Sequence, residues 1–170
     1  MIKLLGAVLI AGPCSVVGFS MNNRLKGRVA ALKSFLGAIQ LLQAEIVFRR
    51  SALPDILPMI IRECSGAASA FFRQVQQCML RDGESFLSAF ELLVPELRHF
   101  DLKWSEIEWI ASVGHIAGRY DAATQADRLS GLIVQLEQAL QQAQEEYGQK
   151  GKLYRALGIT AGVMIALVAI

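Results

Sequence analysis

The chain has 170 residues, of which 54% are hydrophobic, with a net charge of +2 and a mean hydropathy of +0.39. This hydropathy is too low for a protein made of several membrane spans, and so small a net charge gives no argument for nucleic-acid binding. Once the two apolar ends are set aside, roughly 130 residues remain, which is enough for one domain with one hydrophobic core.

The first apolar stretch, residues 4–21, reads LLGAVLIAGPCSVVGFSM and contains no charged side chain. About eighteen helical residues at about 1.5 Å each cover roughly 27 Å, close to the thickness of a bilayer's hydrocarbon core. A cleaved signal peptide is the alternative. Residues 17–20 make a poor cleavage site, however, and Pro13 stands before Cys14, where a lipoprotein signal has a small residue. We therefore predict an uncleaved transmembrane segment over residues 1–21, with the basic residues behind it on the cytoplasmic side: Arg24, Lys26, Arg28 and Lys33.

Residues 22–153 have the periodicity of a cytoplasmic helical domain. In its first helix, which extends to about residue 48, apolar residues recur at alternating spacings of three and four, and Gln43 fills one position of the stripe. Since no breaker separates this helix from the first apolar stretch, the two are predicted to be continuous. The stripe consists of Leu25, Val29, Leu32, Leu36, Ile39 and Ile46, widened by Phe35 and Leu42.

Prolines, glycines and capping residues divide the next part of the chain into shorter helices. Pro54 suits the first turn of a second helix, and Gly83 suits a left-handed cap at the end of a third. Glu84 or Ser85 begins a fourth helix, and Pro95 either ends it or starts a short extra turn reaching residue 100.

The fifth and sixth helices complete the predicted bundle. Ser105 with Glu108 three residues later is a capping box that opens the fifth helix, and Asp121 can cap the sixth, which runs to about residue 148. The apolar stripe of the sixth helix is Leu129, Ile133, Leu136, Leu140, Ala143 and Tyr147. Its opposite face is rich in glutamine, which fits either a solvated face or a groove for a partner.

A second apolar run closes the chain and is predicted as a C-terminal membrane segment over residues 154–170. Its uncharged part, residues 156–170, is short for a span. Lys150, Lys152 and Arg155 mirror the basic residues behind the first run, so both termini are predicted to lie across the membrane from the domain. Small residues at four-residue spacing would let the two membrane helices approach closely, although glycine is common in membrane helices anyway. They are Ala7, Ala11 and Ser15 in the first segment and Gly158, Gly162 and Ala166 in the second.

No alternation typical of β-strands occurs, so the predicted fold class is all-α. The architecture expected is a six-helix bundle whose long first and last helices continue into the N- and C-terminal membrane segments.

No constellation of catalytic residues is recognisable. His99 and His115 are expected to be structural or surface histidines, and no carboxylate stands at metal-ligand spacing from His115. Neither a phosphate-binding loop nor a nucleophile elbow is present in the sequence. We therefore predict a protein that is not an enzyme, with no catalytic residues, no metal, no cofactor and no small-molecule substrate. Cys14, Cys64 and Cys78 are expected to be free thiols in a reducing cytoplasm.

Residues 114–121 form the most unusual polar segment. Gly114 would lie inside the fifth helix, where glycine costs about 1 kcal/mol relative to alanine, so close packing is inferred there. We predict partner contacts at this turn and at the start of the fourth helix. The residues are Gly114, Gly118, Arg119 and Asp121 in the turn, and Gly83, Glu84, Ser85 and Phe86 in the helix start.

Several short motifs, in this order and spacing, resemble the stage III sporulation protein AB family from end to end. They are Lys-Leu-Leu-Gly-Ala at 3–7, the basic start of the first helix, Leu41-Leu42, Glu45-Ile46, Leu53-Pro54, Gly83-Glu84-Ser85-Phe86, the turn at 114–121, and Tyr154-Arg155-Ala156-Leu157-Gly158. The family's turn usually reads Leu-Gly-x-x-Leu-Gly-x-Ser-Asp, from which Val113, Ala117 and Tyr120 depart.

The resemblance implies a protein anchored in the mother-cell membrane that faces the engulfed forespore in an endospore-forming bacterium. It also implies membership in a complex across the envelope that is needed for forespore gene expression. The family's cytoplasmic domain is similar to that of the inner-membrane platform protein of type II secretion and type IV pilus machines. By that analogy, the partner is the secretion-type ATPase known as stage III sporulation protein AA, together with other proteins of the complex.

Three functional hypotheses follow. The first is a non-enzymatic membrane platform of this sporulation complex, in contact with lipid and with the ATPase. The second is a membrane adaptor or assembly factor of another process, and the third is an exported helical protein released by a signal peptidase.

Overall fold

The computed structural model describes the backbone of residues 2–49, 53–119 and 122–169, and the side chains of residues 20–48, 53–117 and 123–151 together with Thr160. Within these ranges every regular element is a helix, which confirms the predicted all-α fold. The α-helices are α1 (Ile2–Arg49), α2 (Leu53–Glu63), α3 (Ala67–Asp82), α4 (Phe86–Leu93), α5 (Trp104–Arg119) and α6 (Ala122–Ala169). A 3-10 helix, Val94–Phe100, joins α4 to α5 and accounts for the extra turn expected at Pro95.

The chain forms two compact units. One unit contains residues 30–141, which include α2 to α5 and the adjoining parts of α1 and α6. The other unit contains residues 1–29 and 142–170, which are the outer parts of α1 and α6. The membrane boundaries predicted at residues 21 and 154 stay predictions, because a compact unit does not show where lipid begins.

The core of the unit formed by residues 30–141 is built on phenylalanine rings. Phe35, Phe71, Phe72 and Phe90 are all fully buried, and the Phe71 and Phe90 ring centroids lie 5.0 Å apart in an edge-to-face arrangement. Edge-to-face contacts of this kind add about 0.5–1.5 kcal/mol beyond the burial of apolar area. Phe35 joins α1 to this cluster, since its ring centroid lies 5.9 Å from that of Phe71. The predicted stripe of α1 is buried from residue 32 onward: Leu32, Leu36, Ile39 and Ile46, with Phe35 and Leu42.

A hydrogen-bond network explains the glutamine that interrupts the apolar stripe of α1. The Gln43 amide nitrogen donates to the Ala126 carbonyl at 2.9 Å and lies 2.6 Å from the Ser130 hydroxyl, both on α6. A half-buried amide is tolerated in such a stripe when its polar atoms find partners. Gln43 therefore connects α1 to α6.

The buried stripe of α6 differs from the predicted one in phase. Leu129, Leu136 and Ala143 are buried as expected, but the positions between them are taken by Leu132 and Ala139. Ile133 and Leu140, which the spacing favoured, are only half-buried. An alternating spacing of three and four fits both sets equally well, so the helices packed against α6 decide which residues lie at the centre.

The start of α5 corrects the predicted capping box. Because α5 begins at Trp104, Lys103 occupies the N-cap and Glu106 the third helical position. Glu106 is only 1% exposed and accepts a hydrogen bond from the Lys103 backbone N–H at 2.8 Å. Ser105 and Glu108 therefore do not form the box, and Glu108 instead accepts from the Trp104 indole nitrogen at 2.7 Å.

One helical stretch with described side chains, Ser20–Phe48 of α1, is long and apolar enough to cross a membrane by the measures of length and composition. Half of its most apolar window is buried inside the protein, because this part of α1 also supplies the core. The side chains of the predicted segments 1–21 and 154–170 lie almost wholly outside the described residues.

Candidate functional site

The segment predicted to contact a partner at residues 83–86 lies between α3 and α4. Gly83 ends α3 in the left-handed conformation, with φ of 69°, as its position predicted. Ser85 is the N-cap of α4, since its side-chain oxygen accepts from the Ser88 N–H at 3.1 Å. Phe86 is buried, whereas Glu84 and Ser85 are exposed. The segment thus anchors itself through one ring and presents two polar side chains to solvent.

The close packing inferred at Gly114 is observed. A Cβ placed on Gly114 would lie 3.1 Å from Cβ, Cγ and Cδ1 of Phe90. The absence of a side chain at this position lets α5 approach α4 over the Phe90 ring. Gly114 itself is buried, so packing explains the glycine, and its role toward a partner stays a prediction.

The structure brings these two predicted segments together through Phe90. The Phe86 and Phe90 ring centroids are 5.5 Å apart, and Phe90 in turn lies against Gly114. On the exposed side of the same helix pair, the His115 Nε2 atom lies 3.3 Å from the Glu91 Oε1 atom. The sequence does not indicate the contact of His115 with Glu91, because no local pattern relates residues on two different helices.

The exposed side of α5 extends this surface. Trp104, Glu108 and His115 lie on one face of α5, because steps of four and eleven residues return close to the same angle around a helix. Trp104 is 60% exposed, and the Arg98 guanidinium carbon lies 5.3 Å from the centre of its ring. Trp104 is therefore an exposed residue and not part of the core. We use the name α4–α5 face for the exposed residues Glu84, Ser85, Glu91, Trp104, Glu108 and His115.

The remaining predicted site residues lie partly or wholly outside the described residues. Gly118 and Arg119 belong to the last turn of α5, but their side chains lie outside the described residues, as does Asp121 altogether. The proposed membrane-packing residues lie in the helical backbone of α1 and α6, with side chains outside the described set: Ala7, Ala11 and Ser15 in α1, and Gly158, Gly162 and Ala166 in α6.

A groove of about 550 Å³ lies between α1 and the connection from α2 to α3. Lys33, Ser34 and Gly37 line it from α1, and Glu63 and Cys64 line it from the other side. Burial raises the pKa of the Cys64 thiol, and the negative charge of Glu63 raises it further. The thiol is therefore protonated and poorly nucleophilic near neutral pH. The sequence contains no motif that predicts this groove.

Ser34 supplies the hydrogen bonds that close one end of the groove. Its hydroxyl donates a hydrogen bond to the Ser65 carbonyl. The same hydroxyl oxygen accepts from the Ala68 N–H, with 2.9 Å between the nitrogen and the oxygen. The N-cap of α3 is Gly66, which has no side chain to satisfy the free N–H groups of the first turn. A serine on α1 thus performs the capping of α3.

The chemistry of the described side chains gives no metal centre. No group of three or more His, Cys, Asp or Glu residues could hold a metal ion among the side chains that the structure describes. His99 lies 3.6 Å from Glu96 on the 3-10 helix, and both are exposed. The arrangement on the α4–α5 face suits contact with another protein, because it combines a partly exposed indole with charged groups already held in place.

Comparison with known proteins identifies the family. The family model described as "Stage III sporulation protein AB" matches residues 3–170. Stage III sporulation protein AB of Bacillus subtilis (strain 168) is 26% identical over 168 residues, which cover 98% of each chain. A solved structure, also of a stage III sporulation protein AB, has the same fold, with a TM-score of 0.63 at 21% identity over 71% of this chain and 96% of its own. Since the family model spans nearly all of the sequence, the chain belongs to the stage III sporulation protein AB family.

Proposed function

We propose that this protein is a non-enzymatic, membrane-anchored platform in a secretion-like complex that acts between mother cell and forespore during sporulation. The observation that carries the proposal is the family match over residues 3–170, which includes both apolar ends as well as the helical domain. The charged residues with described contacts support the same view, because they cap helices, join helices or pair on the surface.

The proposed location is the outer forespore membrane, with the helical domain in the mother-cell cytoplasm. Basic residues lie on the domain side of both apolar runs, after the first and before the second. They support this orientation, since Lys and Arg beside a membrane segment stay on the cytoplasmic side. Reporters fused after Ile170 and within residues 126–149 test it. Activity of both reporters on the same side, or recovery of the full-length chain in the soluble fraction, would remove the proposal. An N-terminus cleaved near residue 21 would instead favour the exported form.

We propose further that the partner is the secretion-type ATPase, stage III sporulation protein AA, and that it binds the α4–α5 face. Three acidic residues on this face, Glu84, Glu91 and Glu108, favour a partner with basic side chains, and Trp104 supplies the apolar contact that interfaces need at their centre.

Binding of the full-length protein in detergent micelles to the purified ATPase tests this assignment. Trp104→Ala is expected to weaken binding at least tenfold, and Glu91→Lys to weaken it and to reduce its salt dependence. Val134→Ala is the matched control, because Val134 is an exposed apolar residue of α6, 52% exposed, away from the α4–α5 face in sequence. Equal affinities for all three variants would refute the α4–α5 face as the binding surface, and no binding by the wild type would refute the partner.

A further inference from the structure

The unit formed by residues 1–29 and 142–170 contains a buried polar side chain whose oxygen atom has no hydrogen bond among the described residues. Asn22 of α1 is only 7% exposed, and its Oδ1 atom has no hydrogen-bond partner among the described residues. A Cβ placed on Gly151 of α6 would lie 2.8 Å from that oxygen. The amide of Asn22 therefore fills the space that a side chain at residue 151 would occupy.

A second polar contact joins the same two helices. Arg28 is 5% exposed, and its Nη1 atom lies 2.8 Å from the Glu146 Oε2 atom. Arg28 is six residues after Asn22, and Glu146 is five residues before Gly151. The two contacts thus agree on an antiparallel register to within one residue, which is about 1.5 Å along a helix.

The neighbours of Gly151 on α6 make this register selective. One turn to either side along the same face of α6 stand Tyr147 and Arg155, which are both bulky. If the helices slipped by one turn, Asn22 would meet one of these side chains instead of a glycine. A buried asparagine whose oxygen lacks a partner costs stability, but it also disfavours registers that place it against a bulky side chain, and in this way it specifies register as single asparagines do in coiled coils.

Continuing this register toward the two chain ends pairs the small residues with one another. Ser15 is seven residues before Asn22, and Gly158 is seven residues after Gly151; Ala11 and Gly162 are each eleven residues away. Steps of seven and eleven residues return to within about 20° of the starting angle around a helix. The helical repeat therefore predicts that both pairs fall on the faces that Asn22 and Gly151 define. Ala7 and Ala166 follow at fifteen residues, turned by about 60°.

We propose that Asn22 and Gly151, supported by the Arg28–Glu146 ion pair, fix the register of the outer parts of α1 and α6, so that Ser15 faces Gly158 and Ala11 faces Gly162. Small residues facing one another let two helices approach closely, and the resulting van der Waals packing is one of the forces that associate helices in lipid. The polar contacts select the register, and in this register the small residues of the two helices face one another. This inference does not depend on the ATPase partner.

Disulfide cross-linking in the full-length chain in native membranes tests the register. Cys14, Cys64 and Cys78 are first changed to serine. The matched pair is Ala11→Cys with Gly162→Cys. The rotated control is Leu9→Cys with Met164→Cys, which keeps the same register, lies about 3 Å further along both helices and turns both positions by about 200°. The shifted control is Ala11→Cys with Ala166→Cys, which is displaced by about 6 Å.

After oxidation, intact mass measured with the remaining thiols alkylated reports the intramolecular disulfide. We expect the matched pair to form it at least ten times faster than either control, because a disulfide needs Cβ atoms about 3.5–4.5 Å apart. Equal rates for the three pairs, a faster control, or a matched pair that links only two separate chains would overturn the proposed register.

Two further variants test whether Asn22 and Gly151 select the register. Asn22→Leu removes the amide from one helix, and Gly151→Leu fills the space from the other. Each is expected to bring the rates of the matched and shifted pairs within threefold of one another. If the tenfold preference survives in both variants, the small residues set the register alone and the role of Asn22 is refuted.

Discussion

Gly114→Ala is expected to destabilise the protein even though alanine is the better helix former. A glycine in an exposed helix interior costs about 1 kcal/mol relative to alanine, and the substitution normally recovers that amount. At Gly114 the new Cβ would lie 3.1 Å from three atoms of Phe90. Phe90 has little room to move, because it is fully buried, with the Phe71 and Phe86 ring centroids 5.0 and 5.5 Å away. Overpacking of this kind costs about 1–3 kcal/mol, so the net loss should be about 0–2 kcal/mol.

Gly131→Ala provides the matched control for this prediction. Gly131 lies in α6, is exposed, and has no atom within 4 Å of a Cβ placed on it. This variant should gain about 0.5–1 kcal/mol, so the two substitutions should differ by about 1–3 kcal/mol in the free energy of unfolding.

Urea unfolding of the full-length protein in detergent, followed by the helical circular dichroism signal, measures both variants against the wild type. Thermal unfolding should show the difference as a separation of about 2–4 °C for each kcal/mol. In a Phe90→Leu background the cost of Gly114→Ala should fall, since the added methyl group meets a smaller side chain. Equal stabilities of the Gly114 and Gly131 variants would show that α4 does not constrain α5 at this point.

Three further outcomes follow from the described contacts. Ser34→Ala should cost about 1–2 kcal/mol in chemical denaturation, because it leaves the Ala68 N–H of α3 without its acceptor; an unchanged midpoint would contradict the capping role. Ser85→Ala should cost about 1 kcal/mol, whereas Ser85→Asp should cost almost nothing, since aspartate caps as well as serine; equal losses would contradict the N-cap assignment. In a chain with Cys64 as its single cysteine, alkylation by iodoacetamide at pH 8 should be slower than that of free cysteine, because the raised pKa of the Cys64 thiol lowers its thiolate fraction. Glu63→Gln should increase the alkylation rate, and an unchanged rate would show that Glu63 does not raise this pKa.

The helices and most of the core could be predicted from the sequence because they depend on local pattern. The spacing of Leu32, Leu36 and Ile39 marks the buried face of α1, and Gly83 and Ser85 mark the ends of α3 and α4 through their own conformations. Gly114 was informative for a different reason. A glycine is costly inside a helix, so its presence indicated close packing, although not the ring it packs against.

The contacts between residues far apart in the sequence could not be predicted, since a single sequence does not indicate which helices pack against each other. The Glu91–His115 contact and the capping of α3 by Ser34 both join helices whose pairing appears only in the folded chain. The start of α5 lies two residues before the predicted one for a related reason: Ser105 with Glu108 and Lys103 with Glu106 have the same spacing, and the helix begins where Glu106 can be buried.

The hydroxyl of Ser34 also bears on how the domain assembles during synthesis. Because α1 precedes α3 in the chain, the group that stabilises the first turn of α3 leaves the ribosome before the helix that requires it. A newly made α3 therefore meets its acceptor on a helix already present, and the Ala68 N–H gains this acceptor only when α3 docks on α1. A chain lacking α1 would leave that turn frayed, with an open N–H at Ala68 exposed to water.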